Sequence, residues 1–240
     1  MPGTLYVCST PIGNLDDITL RALRVLMEVD FIVGEDMRRT KKLLSHYGIH
    51  TPFASSLYQG AEGARTKRVL ALLHQGRSVA LVSNAGTPLL SDPGYPLVRA
   101  CVAEGIPVVP IPGPSALLAA LVASGLPMDR FLFLGYLPRQ PGPRRKALAA
   151  LRTAPYTVVF YESPHRIRAT LELLAELYGP RPTVVARELT KLHEEFVRGT
   201  AAEVHRAFAQ RDLIRGEFAV LLGPASPAAT GHLAEKAHTV

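Results

Sequence analysis

Apolar runs alternate with amphipathic stretches along most of the chain. Residues 4–10 form an apolar run that predicts a buried strand, broken at Pro11-Ile12-Gly13-Asn14. A helix is expected over about residues 19–29, where Leu20, Leu23 and Met27 recur at helical spacing. Residues 30–35 read as a second strand that opens into Glu35-Asp36-Met37-Arg38-Arg39, and a further helix runs to about Tyr47 and stops at Gly48. Residues 62–75 are amphipathic and are closed by Gly76. Residues 78–83 predict a strand that opens into Asn84-Ala85-Gly86-Thr87-Pro88. A helix over 95–104 and a strand over 108–111 lead into Pro112-Gly113-Pro114-Ser115-Ala116. Strand and helix taking turns predict a mostly parallel sheet with helices on both faces.

The second half keeps αβ character and predicts a mixed lobe. Strands are expected at 131–135, 157–161, 184–187, 195–199 and 218–222. Between the first two lies a basic stretch without an acid, residues 139–152, containing Arg139, Arg144, Arg145, Lys146 and Arg152. A helix with Ser163 as N-cap and Pro164 in its first turn carries Ile167, Leu171, Leu174 and Tyr178 on one face and ends at Gly179. Thr200 with Glu203 predicts a capping box for the next helix. The Ala/Leu-rich helix over 115–124 is the expected hinge between two lobes, residues 1–115 and 116–223, followed by a loose tail at 224–240.

At 240 residues the chain is long enough for two small domains or one large one. No apolar run is long enough to span a bilayer, and the start lacks a secretory pattern, so a cytoplasmic protein without a membrane partner is expected. Cys8 and Cys101 are too few for a disulfide framework and read as small buried side chains. Net charge is +7, from a basic set of 21 Arg and 6 Lys. That surplus suits a polyanionic partner; an arginine-rich genome or a thermophilic source gives the same composition.

Several chemistries are excluded. No Gly-Lys-Ser/Thr phosphate loop is present, and no Gly-x-Gly-x-x-Gly opens the first helix. His46 and His50 are separated by Gly48, His193-Glu194-Glu195 has no second His at the required offset, and no metal site is expected. A Gly-x-Ser-x-Gly nucleophile elbow is missing. Three loops remain, each after the C-terminal end of a strand: residues 10–14, 84–88 and 112–116. Their small residues, Gly and Pro present main-chain groups to a polar ligand without side-chain bulk, although any one of them taken alone is an ordinary tight turn. Ser115 opens a helix whose N-terminus favours a carboxylate.

Five runs occur in a fixed order: Thr10-Pro11-Ile12-Gly13-Asn14-Leu15, then residues 85–94 (AGTPLLSDPG), Pro112-Gly113-Pro114-Ser115-Ala116, Tyr161-Glu162-Ser163-Pro164-His165-Arg166, and Ala186-Arg187-Glu188-Leu189-Thr190-Lys191. Together they resemble the ribosomal RNA small subunit methyltransferase I family of the tetrapyrrole methylase-like superfamily, over roughly residues 4–222. The resemblance implies a two-lobed α/β fold with S-adenosyl-L-methionine between the lobes, a homodimer, and methyl transfer to the ribose 2′-oxygen of cytidine 1402 of 16S rRNA in the 30S subunit, with no DNA partner. The cofactor contacts it implies fall on Pro11, Ile12, Gly13, Asn84, Ala85, Gly86, Thr87, Pro88, Pro112, Gly113, Pro114, Ser115 and Ala116. Two departures stand out. The family usually has Asp where this chain has Asn84, which keeps an acceptor oxygen but loses a charge. A His/Glu/Asn-rich patch expected at 57–62 survives only as Glu62.

A ribose hydroxyl is a weak nucleophile, so a base or a cation beside it is expected. Candidates are Glu35, Asp36, Glu162, His165, Glu188 and Lys191, with Glu188 and Lys191 expected near the hydroxyl and Lys191 stabilising developing charge; an ion pair within one lobe is the competing role for Glu188. Arg38, Arg39, Arg144, Arg145, Lys146 and Arg166 are the expected phosphate contacts, against a solvated surface role for each. A corrin or porphyrin methylase of the same fold and a non-catalytic RNA-binding relative are the two alternatives.

Overall fold

The computed structural model describes residues 1–56 and 62–225, so the patch at 57–61 and the tail beyond 225 lie outside the described residues. The chain divides into two compact units, Met1–Ser115 and Ala116–Val240.

The first unit is a five-stranded, all-parallel sheet. Its strands are β1 (Leu5–Cys8), β2 (Phe31–Gly34), β3 (Phe53–Ser56), β4 (Val79–Val82) and β5 (Val108–Ile111), in the order β3-β2-β4-β1-β5. Its helices are α1 (Leu20–Glu28), α2 (Met37–His46), α3 (Glu62–His74) and α4 (Tyr95–Ala103). Alternation along β4 explains why both faces are covered. Val79 and Leu81 point into a core with Leu5, Leu73, Leu97 and Cys101, while Ala80 and Val82 point into a second core with Cys8, Leu26 and Leu44. α3 and α4 thus cover one face, and α1 and α2 the other. β3 was not expected from the sequence. It is a short edge strand of Phe-Ala-Ser-Ser, so it carries no apolar run of its own.

The second unit is a mixed sheet of β6 (Phe131–Tyr136), β7 (Thr157–Glu162), β8 (Pro182–Arg187), β9 (Glu195–Thr200) and β10 (Phe218–Leu222), in the order β6-β7-β10-β8-β9. Only β6 and β7 pair in parallel. Helices α6 (Pro141–Ala149), α7 (Ile167–Tyr178) and α8 (Ala201–Ala209) share one core, in which Phe160, Leu174, Val204 and Phe208 are fully buried. α5 (Ala116–Val122) packs on β10 and β7. The capping box forms as read: Thr200 Oγ1 accepts from the Glu203 N–H, and Glu203 accepts from the Thr200 N–H.

Ser163 is not a cap. α7 starts at Ile167 with Arg166 as its N-cap residue, and no side chain caps it. The Ser163 carbonyl accepts from the N–H groups of Arg166 and Ile167, and its hydroxyl accepts from Arg166 Nε at 3.4 Å. Residues 163–166 are a turn tied down by charge, so the hydroxyl is drawn away from the helix end.

Candidate functional site

β1 crosses over to β2, which lies beyond β4; β4 crosses over to β5, on the far side of β1. The two connections leave adjacent strands in opposite directions. The crevice at the carboxyl ends of β1 and β4 is therefore a topological switch point, where an open parallel sheet leaves room for a ligand.

All three glycine/proline turns of the first unit converge there. Thr10 and Gly86 exchange main-chain hydrogen bonds, both at 2.9 Å. Ser9 Oγ donates to Thr87 Oγ1 at 3.1 Å, and Thr87 Oγ1 donates to the Pro114 carbonyl at 3.1 Å, so a chain of hydroxyls links the turns after β1, β4 and β5. Gly86 sits at φ +81°, and a Cβ there would lie 3.2 Å from Ile12 Cγ2. A Cβ on Gly113 would lie 2.9 Å from Ser9 Cβ, so the backbones approach as closely as they can. Gly13, Ala85, Pro112 and Gly113 are exposed; Pro11, Ile12, Asn84, Thr87, Pro114 and Ala116 are half-buried; Gly86, Pro88 and Ser115 are buried and shape the turns. Thr10 is 2% exposed, and its Oγ1 has no hydrogen-bond partner among the described residues. A buried unpaired hydroxyl costs about 1–3 kcal/mol. It fits a site that a polar ligand completes.

Beside these turns lies an open cleft of about 440 Å³ lined by Glu35, Asp36, Met37, Arg38, Ser56 and Asn84. Asp36 caps α2 by accepting from the Arg38 N–H, and its own N–H donates to Asn84 Oδ1 at 3.1 Å. The Arg38 side chain, largely exposed, hydrogen-bonds Asp36 and holds its carboxyl below the usual range. Burial pushes Glu35 the other way, against the nearby Arg39 charge and a main-chain bond from Asn84. Asp92, which sequence reasoning missed, is pushed up to about 6, first by burial and then by the charge of Glu35. Its loop holds Leu89 at φ 75° and Ser91 at φ 72°. Non-glycine residues in that region mark stored strain, which clusters at functional sites. The AGTPLLSDPG run was visible in the sequence, but nothing in it announced the strain.

In the second unit the charged candidates are tied into two knots. Lys191 Nζ donates to Glu188 Oε1 at 2.8 Å and to Glu217 Oε2 at 2.9 Å, and Glu188 Oε1 also accepts from the Glu217 N–H. Burial works against the charge on both Glu188 and Lys191. The bonds outweigh it, so Glu188 is held below and Lys191 above its ordinary range. Glu188 at φ 51° and Thr190 at φ 66° are again strained. Gly216 leaves space for the Glu188 carboxylate: a Cβ there would lie 2.6 Å from Glu188 Cγ. The second knot is Glu162, whose side chain is fully buried. It accepts from Arg166 at 2.7 Å, from Thr170 Oγ1 at 2.7 Å and from the Ser163 N–H at 2.8 Å. Arg166 also donates to the Leu137 carbonyl, while His165 projects into solvent on the same turn.

The expected phosphate contacts fare unevenly. Arg38, Arg39, Arg145 and Lys146 are exposed, and Arg166 is half-buried. Arg144 is a correction: it is 7% exposed, on the same buried face of α6 as Leu148, with its Nε unpaired among the described residues. Read as a block of charge the stretch looked uniform, but helical phase turns Arg144 inward. No group of three or more His, Cys, Asp or Glu among the described residues is arranged to hold a metal ion, and no described helix is long and apolar enough to cross a membrane.

Comparison with known proteins gives this geometry a family. Residues 4–205 match the model of the tetrapyrrole (corrin/porphyrin) methylases. Ribosomal RNA small subunit methyltransferase I of Halalkalibacterium halodurans is 49% identical over 92% of this chain and 75% of its own length. The Thermotoga maritima protein of the same name is 47% identical over 92% of this chain and 98% of its own. Among solved structures, the uroporphyrin-III C-methyl transferase of Thermus thermophilus complexed with S-adenyl homocysteine shares the fold at a TM-score of 0.62, 21% identity, 94% of this chain and 100% of that one. The methyltransferase CobJ does so at 0.68 and 23% identity, covering 93% of this chain and 95% of that one. By the extent and level of these matches, the chain belongs to the ribosomal RNA small subunit methyltransferase I family of the tetrapyrrole methylases.

Proposed function

We propose that the chain transfers a methyl group from S-adenosyl-L-methionine to the ribose 2′-hydroxyl of cytidine 1402 in 16S rRNA of the small ribosomal subunit. The observation that carries this reading is the meeting of the three turns at the β1–β4 switch point around the unpaired Thr10 hydroxyl, in a chain of this family.

The residues that would hold the cofactor are Pro11, Ile12 and Gly13, Asn84 to Pro88, and Pro112 to Ala116. When bound, S-adenosyl-L-methionine supplies a methyl group already activated as a sulfonium. The protein must hold acceptor and donor in line, and rigid turns with their hydrogen bonds already made serve that need. Asn84 lacks the charge of the family's Asp, but Glu35, Asp36 and Asp92 keep the field around it negative, which favours a cation. A fourth carboxylate there would raise the cost of ionising all of them.

In the second unit Lys191 is held protonated by two carboxylates, so its third N–H is the donor it would offer to the developing 2′-oxyanion or a neighbouring phosphate. Glu188 anchors it. His165, exposed on a turn braced by the Glu162–Arg166 pair, and Asp36 remain the candidates for taking the hydroxyl proton. The protein works as a homodimer in the cytoplasm on this reading. Purified protein incubated with labelled S-adenosyl-L-methionine and 30S particles from a strain lacking the enzyme should label cytidine 1402, located by mass spectrometry of the nucleosides. Labelling of a porphyrinogen in place of the rRNA would reverse the assignment.

A further inference from the structure

The expected phosphate surface on α6 is thinner than its sequence. Arg144 faces inward, and Arg145 is occupied by Glu176 through bonds of 2.7 and 2.5 Å. A denser gathering of guanidinium groups lies elsewhere, on the segment between α8 and β10, residues 210–217. Arg168 of α7 donates to the Arg211 carbonyl at 2.5 Å. Arg187, at the end of β8, donates through Nε to the Arg215 carbonyl at 2.7 Å and reaches Glu195 at 3.4 Å. Arg211 grips both oxygens of Glu195, at 2.8 and 2.5 Å, and stacks over the Phe208 ring at 4.2 Å. Arg215 is exposed.

Two features single this segment out. The segment and its neighbours carry four guanidinium groups and the Lys191 ammonium against four carboxylates, Glu188, Glu195, Asp212 and Glu217, which leaves a surplus of one positive charge. The neighbouring Glu188 and Glu217 are occupied by Lys191. Secondly, Arg168 and Arg187 bind main-chain carbonyls, which steady the segment; for Arg168 this leaves the charge uncancelled, while Arg187 also reaches Glu195. A loop held in shape beforehand loses little freedom when it meets a ligand. Guanidinium groups with unused N–H donors match phosphate oxygens in pairs.

We propose that residues 210–216, with Arg168 and Arg187, form the surface that grips the sugar–phosphate backbone of the RNA, in place of α6. This rests on the reading of RNA as substrate. The test is a salt titration of affinity for a fluorescein-labelled RNA hairpin, followed by anisotropy, with melting temperature and calorimetry of S-adenosyl-L-methionine binding on the same samples. The double variant Arg168→Gln, Arg215→Gln should lower the slope of log K against log[salt] by about 1–2 and weaken binding roughly tenfold or more at physiological salt, because each lost phosphate contact removes about one counterion. Cofactor affinity should not change, and Lys146→Gln should leave the slope as it was. Arg215→Gln alone keeps the main-chain scaffold and should lower the slope by about 1. An unchanged slope in Arg215→Gln and in the double variant, or a loss confined to Lys146→Gln, overturns the placement. A wild-type chain that binds S-adenosyl-L-methionine but binds the hairpin at no salt concentration overturns the RNA reading and this surface with it.

Discussion

The two units build their candidate sites from opposite materials. At the β1–β4 crevice the work falls to main chain and hydroxyls: Thr10 on Gly86, Ser9 on Thr87, Thr87 on Pro114, with glycines where a Cβ has no room. In the second unit it falls to charge: Lys191 between Glu188 and Glu217, Arg166 on buried Glu162, and arginines around Glu195. On the function proposed above, the contrast follows from what each has to meet. A ligand gripped by main-chain groups tolerates exchange of charged side chains but not a shift of backbone. A polyanion met by side chains tolerates small backbone changes but not loss of charge. Each kind of site should therefore break under a different kind of substitution.

The largest effect is expected from backbone change in the first unit. Gly86→Val adds a branched side chain at φ +81° against Ile12 and should cut S-adenosyl-L-methionine affinity about 100-fold, equivalent to about 2.7 kcal/mol, as read by calorimetry. An affinity within threefold of wild type would show that the turns do not carry binding. Next comes charge in the second unit. Lys191→Met should lower kcat by about 10²-fold and leave cofactor affinity unchanged. Normal turnover, or a parallel loss of cofactor affinity, would break the division between the units. Gly216→Ala should mimic it in part, because the new methyl group displaces the Glu188 carboxylate that anchors Lys191. Its loss of kcat should be smaller and should come with a lower melting temperature.

A smaller effect concerns Asp92. Its carboxyl titrates near 6 in the folded protein, above its ordinary value of 3.8, so the folded state holds a proton that the unfolded state releases. Stability contributed by this group is present below about pH 4 and is lost as pH rises toward 6 and above. Asp92→Asn removes that dependence. It should raise the melting temperature at pH 8 by a few degrees and change it little at pH 4, which thermal melts at the two pH values would show. An equal shift at both would mean that the carboxyl is not perturbed. The smallest change is Asn84→Asp. It keeps the acceptor for the Asp36 N–H and adds a charge, and it should tighten S-adenosyl-L-methionine binding by less than about tenfold. Weaker binding would mean that carboxylate repulsion outweighs attraction for the cation.

Much of the fold was legible because its central strands, such as β4 and β10, are buried on both faces. Residues 79–82 are apolar without interruption, the pattern of a strand covered on both faces, as in a parallel sheet between two helix layers. β3 escaped because an edge strand of small residues carries no such run. The three glycine/proline turns could be found in the sequence, since glycine and proline mark where backbone must bend or approach closely. What could not be read is whatever depends on side-chain phase and long-range partners. Arg144 turns inward with Leu148 while Arg145, one residue on, pairs with Glu176. Asp92 meets Glu35 from a loop 57 positions later in the chain. Ser163 looked like a helix cap until buried Glu162 and Arg166 claimed its turn.

The most direct test of the cofactor site is Thr10→Val, measured by calorimetry with S-adenosyl-L-methionine beside a thermal melt. Valine keeps the shape and removes the one buried side-chain polar atom of the turn cluster without a partner among the described residues. If that hydroxyl is kept for a ligand, the variant should be as stable as wild type or more so, while its affinity falls about tenfold, or roughly 1.4 kcal/mol. Unchanged affinity in an equally stable variant would contradict the assignment of this crevice to the cofactor.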